Sequence, residues 1–120
     1  MCRVEASVFR PGGVTYLRIP APDPEAAGRF YGQVFGWEIR DRGSFSDAGG
    51  YVIGHFISDL PVAGGSGIRP YVYVDDVDAT LEAIAAGGGA LATPPYPEGD
   101  LRVATFTDPA GNEVGIWQRA

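Results

Sequence analysis

With 120 residues and 45% hydrophobic content, the chain has room for one globular domain, or for two half-size modules sharing one. A formal charge of −6, with nine dispersed arginines, argues against nucleic acid; the absence of lysine excludes lysine Schiff-base and P-loop chemistry. No apolar run approaches the roughly 18 residues of a membrane span and no signal-peptide order opens the chain, so a cytoplasmic protein is expected, with Cys2 a free surface thiol.

In chain order, Val14–Pro20 reads as a strand. Asp23 follows as a helix N-cap, with Pro24 at the first helical position, Glu25 in an acidic first turn and Gly36 at the C-terminus. Helical spacing lines up Ala26, Phe30 and Val34, with Ala27, Tyr31 and Phe35 beside them, as a core-facing stripe. Short strands are predicted at Trp37–Arg40, Ser44–Asp47 and Gly50–Ser58. Gly64–Gly67 reads as a flexible hinge.

The pattern then repeats. Arg69–Val74 is a strand, Asp76 an N-cap and Asp78 the acidic first turn. Val77, Leu81, Ile84 and Ala85 form the apolar stripe, and Gly87–Gly89 close the helix. Strands are predicted at Ala90–Ala92, Leu101–Thr107 and Glu113–Gln118, and Pro94–Pro97 as a stiff loop. Asp108-Pro109-Ala110-Gly111-Asn112 is a tight turn, with Gly111 and Asn112 at the positive-φ positions.

That hairpin, together with the F-Y-x-x-V-F-G-W run at Phe30–Trp37, resembles the vicinal-oxygen-chelate (glyoxalase/bleomycin-resistance/dioxygenase) superfamily. The resemblance runs from Val14 to Gln118 and leaves the tail Met1–Gly13 outside. It implies an α+β fold of two βαβββ modules, at 14–60 and 68–118, forming an incomplete eight-stranded barrel with a concave face, and a two-fold homodimer, swapped or unswapped. Metal-using members carry His, Glu or Gln on the first and last strand of each module. The matching positions here are Val14, Gly54, Arg69 and Gly115, which offer no usable donor, so no metal or other cofactor is expected. His55, the only histidine, falls on the helix side by alternation with Tyr51 and Ile53. A one-residue slip would bring it to the concave face as a ligand or general base.

Alternation gathers Tyr16, Phe56, Tyr71, Tyr73, Phe106 and Trp117 on the concave face, with Trp37 and Tyr96 at its rim. Gly54 and Gly115 would form a bare floor, and Arg18, Arg69 and Arg102 would add cations able to stack on a ring or hold an anion. No catalytic residue is expected, Glu113 being read as solvated or arginine-paired. The reading is a metal-independent bacterial binding protein of the bleomycin-resistance type, which sequesters an aromatic, antibiotic-like metabolite. The alternatives are a metal-dependent lyase or dioxygenase, a cofactor-free isomerase, cyclase or oxygenase using Tyr16, Glu113 or His55, and a small regulatory or interaction module.

Overall fold

The computed structural model describes residues 8–120, so Cys2 lies outside the described residues. The chain divides into two compact units, with the boundary between Pro61 and Val62. The first contains β1 (Tyr16–Pro20), α1 (Pro24–Phe35), β2 (Glu38–Ile39), a 3₁₀ turn at Asp41–Gly43, β3 (Ser44–Ser46) and β4 (Ile53–Ile57). The second contains β5 (Tyr71–Tyr73), α2 (Val77–Ala86), β6 (Ala90–Glu98), β7 (Leu101–Thr107) and β8 (Glu113–Arg119).

Each unit is a βαβββ module with one four-stranded sheet. The strand orders are β1-β4-β3-β2 and β5-β8-β7-β6, with the first strand of each parallel to the last and the remaining pairs antiparallel. The class is α+β, as expected, and the sheets are open rather than closed into a barrel.

The helices begin where the sequence signals them. The Asp23 carboxylate accepts from the Ala26 N–H at 3.2 Å, and that of Asp76 from the Ala79 N–H at 3.1 Å. Gly36 ends α1 in the left-handed region at φ 73°, where a side chain would be strained. Two glycines on α1 admit β2: a Cβ at Gly28 would stand 2.9 Å from Ile39 Cγ2, and one at Gly32 would stand 3.2 Å from Ile39 Cγ1.

The first core is a stack of aromatics between α1 and its sheet. Tyr31 stacks on Trp37 at 4.7 Å and on Phe56 at 5.4 Å, while Phe45 lies 4.9 Å from Trp37 and 4.7 Å from Phe56. Phe30, Tyr31, Phe45 and Phe56 are all buried, each such ring contributing about 1.5–3 kcal/mol. In the second unit Val77 and Ile84 of α2 and Ala104, Phe106, Val114 and Ile116 of the sheet fill the corresponding core.

Pro94–Pro97, predicted as a loop, belongs to β6. The strand lies at the sheet edge, and its register with β7 shifts between Leu91 and Thr93 and again between Thr93 and Tyr96. An edge strand tolerates prolines because one side of its backbone has no ladder partner. The turn before β8 also differs from expectation: only Gly111 takes a positive φ, of 102°. Asn112 instead donates its side-chain N–H to Asp108 Oδ2 at 2.9 Å. The buried Asp108 Oδ1 accepts from the backbone N–H groups of Ala110, Gly111 and Asn112 at 2.9–3.0 Å. The Gly64–Gly67 segment falls within the second unit, where the Glu113 N–H donates to Gly64 O at 3.3 Å.

Candidate functional site

In the second unit the pairing defines two rows across the sheet face that α2 leaves uncovered. One runs Tyr96, Val103, Trp117, Tyr73 over β6, β7, β8 and β5; the other runs Thr93, Thr105, Gly115, Tyr71. Directly paired residues share a face, so Tyr71, Tyr73, Tyr96, Gly115 and Trp117 stand together. Tyr73 meets Trp117 edge-on, with centroids 4.9 Å apart and planes at 74°. Tyr71 is 43% exposed and Tyr73 48% exposed, whereas the aliphatic residues on the helix side of the same strands are buried or partly buried.

Gly115 is not a bare floor. A Cβ there would overlap Cδ2 and Cε2 of Tyr71, so the Tyr71 ring lies flat across the β8 backbone. Arg69 closes this end of the face: its Nη2 lies 3.5 Å from Glu113 Oε1 and donates to Gly65 O at 3.0 Å, while the Thr105 hydroxyl donates to Glu113 Oε2 at 2.8 Å. Contact with Tyr71 first, and the Glu113 carboxylate after it, hold the Arg69 guanidinium above its ordinary pKa, with desolvation opposing them. Tyr96 is also pushed up, by desolvation first and then by Tyr71, with Arg69 pulling it down.

In the first unit, the face away from α1 carries Tyr16 and Arg18 from β1 and His55 from β4. His55 pairs in register with Arg18 on one side and Ser44 on the other. The Tyr16 hydroxyl lies 2.7 Å from His55 Nδ1. The same face carries Glu38 and Ser46, both bonded by Arg40, at 3.2 and 3.3 Å.

Several sequence assignments change. Phe56 and Gly54 share the helix-facing side of β4, because Phe56 stacks on Tyr31; a Cβ at Gly54 would meet the Leu17 carbonyl oxygen and would stand 2.6 Å from Phe45 Cζ. His55 therefore takes the opposite face, the placement that a one-residue slip allows. Trp37 is partly buried and sandwiched between Tyr31 and Phe45, on the helix side of the first sheet rather than at the rim of the other face. Phe106 pairs with Val114 on the helix side of the second sheet and is fully buried. Arg102 is drawn to the helix side as well, its Nη2 bonding Asp78 at 3.0 and 3.1 Å. Val14 precedes β1 and is 77% exposed. A groove of 650 Å³ beside α1, lined in part by Glu25, Arg29, Ile39, Arg40 and Arg42, contains none of the face aromatics.

The superfamily profile, that of Glyoxalase/Bleomycin resistance protein/Dioxygenase, matches residues 13–116. The chain belongs to this superfamily. It is 32% identical over 124 residues to CFP32 of Mycobacterium tuberculosis (strain CDC 1551 / Oshkosh), which carries a provisional glyoxylase name. It is 31% identical over 139 residues to the anthracycline biosynthesis protein DnrV of Streptomyces peucetius. These matches cover 93% and 92% of this chain but 48% of each relative, so the chain spans about half the length of these curated relatives. Among solved structures it resembles TnmS3, described as an antibiotic binding protein from Streptomyces sp. CB03234. The TM-score is 0.71 and the identity 24%, over 91% of this chain and 97% of that one. A glyoxalase/bleomycin resistance protein/dioxygenase family enzyme of Burkholderia phytofirmans PsJN gives a TM-score of 0.74 at 23% identity, over 88% and 98%.

The superfamily raises the question of a metal, and the residues present do not fit one. Among the described residues no three His, Cys, Asp or Glu side chains come together to hold an ion. Glu113 is engaged by Arg69 and Thr105, and His55 Nδ1 by Tyr16. Among the described residues, too, no helix is long and apolar enough to cross a membrane.

Proposed function

We propose that this chain is a metal-independent binding protein for a flat aromatic, antibiotic-like small molecule, held without chemical change on the uncovered face of the second unit. The observation that carries the reading is the cross-sheet set Tyr96, Trp117, Tyr73 and Tyr71, two of them nearly half exposed, on a face that α2 leaves open. Rings that would otherwise face water gain area burial from a planar partner, plus about 0.5–1.5 kcal/mol per aromatic pair. Arg69 supplies a cation at the border, able to hold a phenolate or carboxylate once its Glu113 contact opens. The antibiotic-binding description of TnmS3 and the anthracycline name of DnrV support the ligand class. A homodimer in the cytoplasm is part of the same proposal.

Titration with a panel of polycyclic aromatic antibiotics, followed by tryptophan fluorescence, tests it. Saturable quenching is expected in wild type and in Trp37→Phe, weakened about tenfold or more in Tyr73→Ala. Mass spectrometry should return the ligand unchanged, and light scattering should report two copies. No saturable binding across the panel would remove the proposal; a converted ligand would replace it with an enzyme.

A further inference from the structure

The first unit carries a second constellation that the aromatic face does not use. Tyr16 Oη and His55 Nδ1 are 2.7 Å apart, within ordinary range for a hydrogen bond involving a hydroxyl. Tyr16 is 46% exposed and Arg18 is exposed beside it. Among the described residues the Arg18 side chain has no hydrogen-bond or ion-pair partner. Among the described residues the other charged groups that strand pairing brings to this face are Glu38 and Arg40, and they engage each other: Arg40 Nη2 lies 3.2 Å from Glu38 Oε1. The polar residues between, Ser44 and Ser46, carry no charge. Three groups with complementary proton chemistry thus stand on one open sheet face, with one cation uncommitted.

We propose that Tyr16, Arg18 and His55 form a binding site for an acidic hydroxyl, a phenol or enol, which is bound as its anion after giving its proton to His55. The hydrogen bond to Tyr16 can form in either direction. With Nδ1–H donating to Tyr16 Oη, Nε2 presents a lone pair, and the tyrosine O–H is left to donate to the ligand oxygen. The ligand O–H bond breaks, its proton passes to Nε2, and its electron pair stays on the oxygen. The resulting anion faces an imidazolium and the Arg18 guanidinium, both donors in charge-assisted hydrogen bonds. No charge is created or lost overall, and no redox partner is needed. An imidazole suits the role because its free ring nitrogen accepts the proton and, once protonated, donates back to the anion. All three residues belong to the first unit.

The test uses para-nitrophenol, whose phenolate absorbs visible light, and its methyl ether, which has no proton to give. His55 is the only histidine, so its ring signals in proton NMR need no assignment. At the free probe's ionisation midpoint, where about half is ionised, wild type is expected to turn nearly all of the bound probe into phenolate. The His55 ring signals should move toward the imidazolium position, and the ether should bind about tenfold or more weakly. Arg18→Gln should weaken phenol binding about tenfold, and His55→Gln should abolish ionisation of whatever probe still binds. Circular dichroism checks that both variants stay folded. Equal phenolate formation by His55→Gln, unmoved His55 signals at saturation, equal affinity for the ether, or no saturable binding would each overturn the proposal.

Discussion

The ring of Tyr71 occupies the space into which a side chain on Gly115 would project. The two residues are register partners on β5 and β8, so the tyrosine lies across its neighbour's backbone instead of standing away from the sheet. The glycine is needed for this close approach, since its φ is not one that L side chains avoid.

Gly115→Ala is therefore expected to destabilise the protein by about 1–3 kcal/mol, as overpacking does. In a Tyr71→Ala background the same change should cost far less, because the ring it displaces is gone. Urea unfolding of the four proteins in this cycle measures the coupling, expected between about 0.5 and 3 kcal/mol. Additive effects would show that the ring does not rest on the glycine.

The two faces of the sheets make opposite demands. Phe56 is 1% exposed and touches Tyr31 and Phe45, so Phe56→Ala should cost about 3–5 kcal/mol. Tyr73 is 48% exposed, and Tyr73→Ala should cost about 1 kcal/mol while weakening ligand binding about tenfold or more. Chemical denaturation beside fluorescence titration separates the two roles. A large stability loss from Tyr73→Ala would assign it to the core.

The turn into β8 depends on one buried carboxylate serving three backbone N–H groups. Asp108→Ala leaves those donors without that acceptor and is expected to cost about 2 kcal/mol or more. Hydrogen exchange should show the Ala110–Asn112 amides losing protection. Unchanged protection would mean that the backbone alone holds the turn.

Tyr96 ionises above the usual phenol range because desolvation and Tyr71 disfavour its anion. Between the ordinary value, about 10, and its own higher one, the folded state holds a proton that the unfolded chain has lost. Stability contributed by Tyr96 is thus complete below about pH 10 and falls as pH rises through the folded value. An ultraviolet titration of tyrosinate should lose a late-ionising phenol in Tyr96→Phe. Loss of an ordinary phenol instead would contradict the packing around Tyr71.

Much of this could be read in advance where local chemistry acts alone. The capped helices at Asp23 and Asp76 and the Asp108 turn follow from residues within a few positions of one another, and the half-length repeat and the α+β class from the recurrence of that local pattern. The phase of β4 could not. Ile53, Phe56 and Ile57 give no clean alternation, and only Tyr31 and Phe45, brought from α1 and β3, draw Phe56 to the helix side and send His55 to the other. In β7 four successive residues, Val103 to Phe106, are buried, so burial on both faces erased the pattern that would have placed Phe106.

Sequence alone determined the modules, their caps and turns, and the supply of Tyr, Trp and Arg from which a site could be built. Tertiary structure decided which of them share a face. It took Phe56 and Phe106 into the cores, stacked Trp37 on Tyr31, filled the space above Gly115 with Tyr71, and joined Tyr16 to His55, residues 39 positions apart. The physical reason is that a strand's two faces are chemically equivalent until another element buries one of them, and the burying residues are distant in the chain.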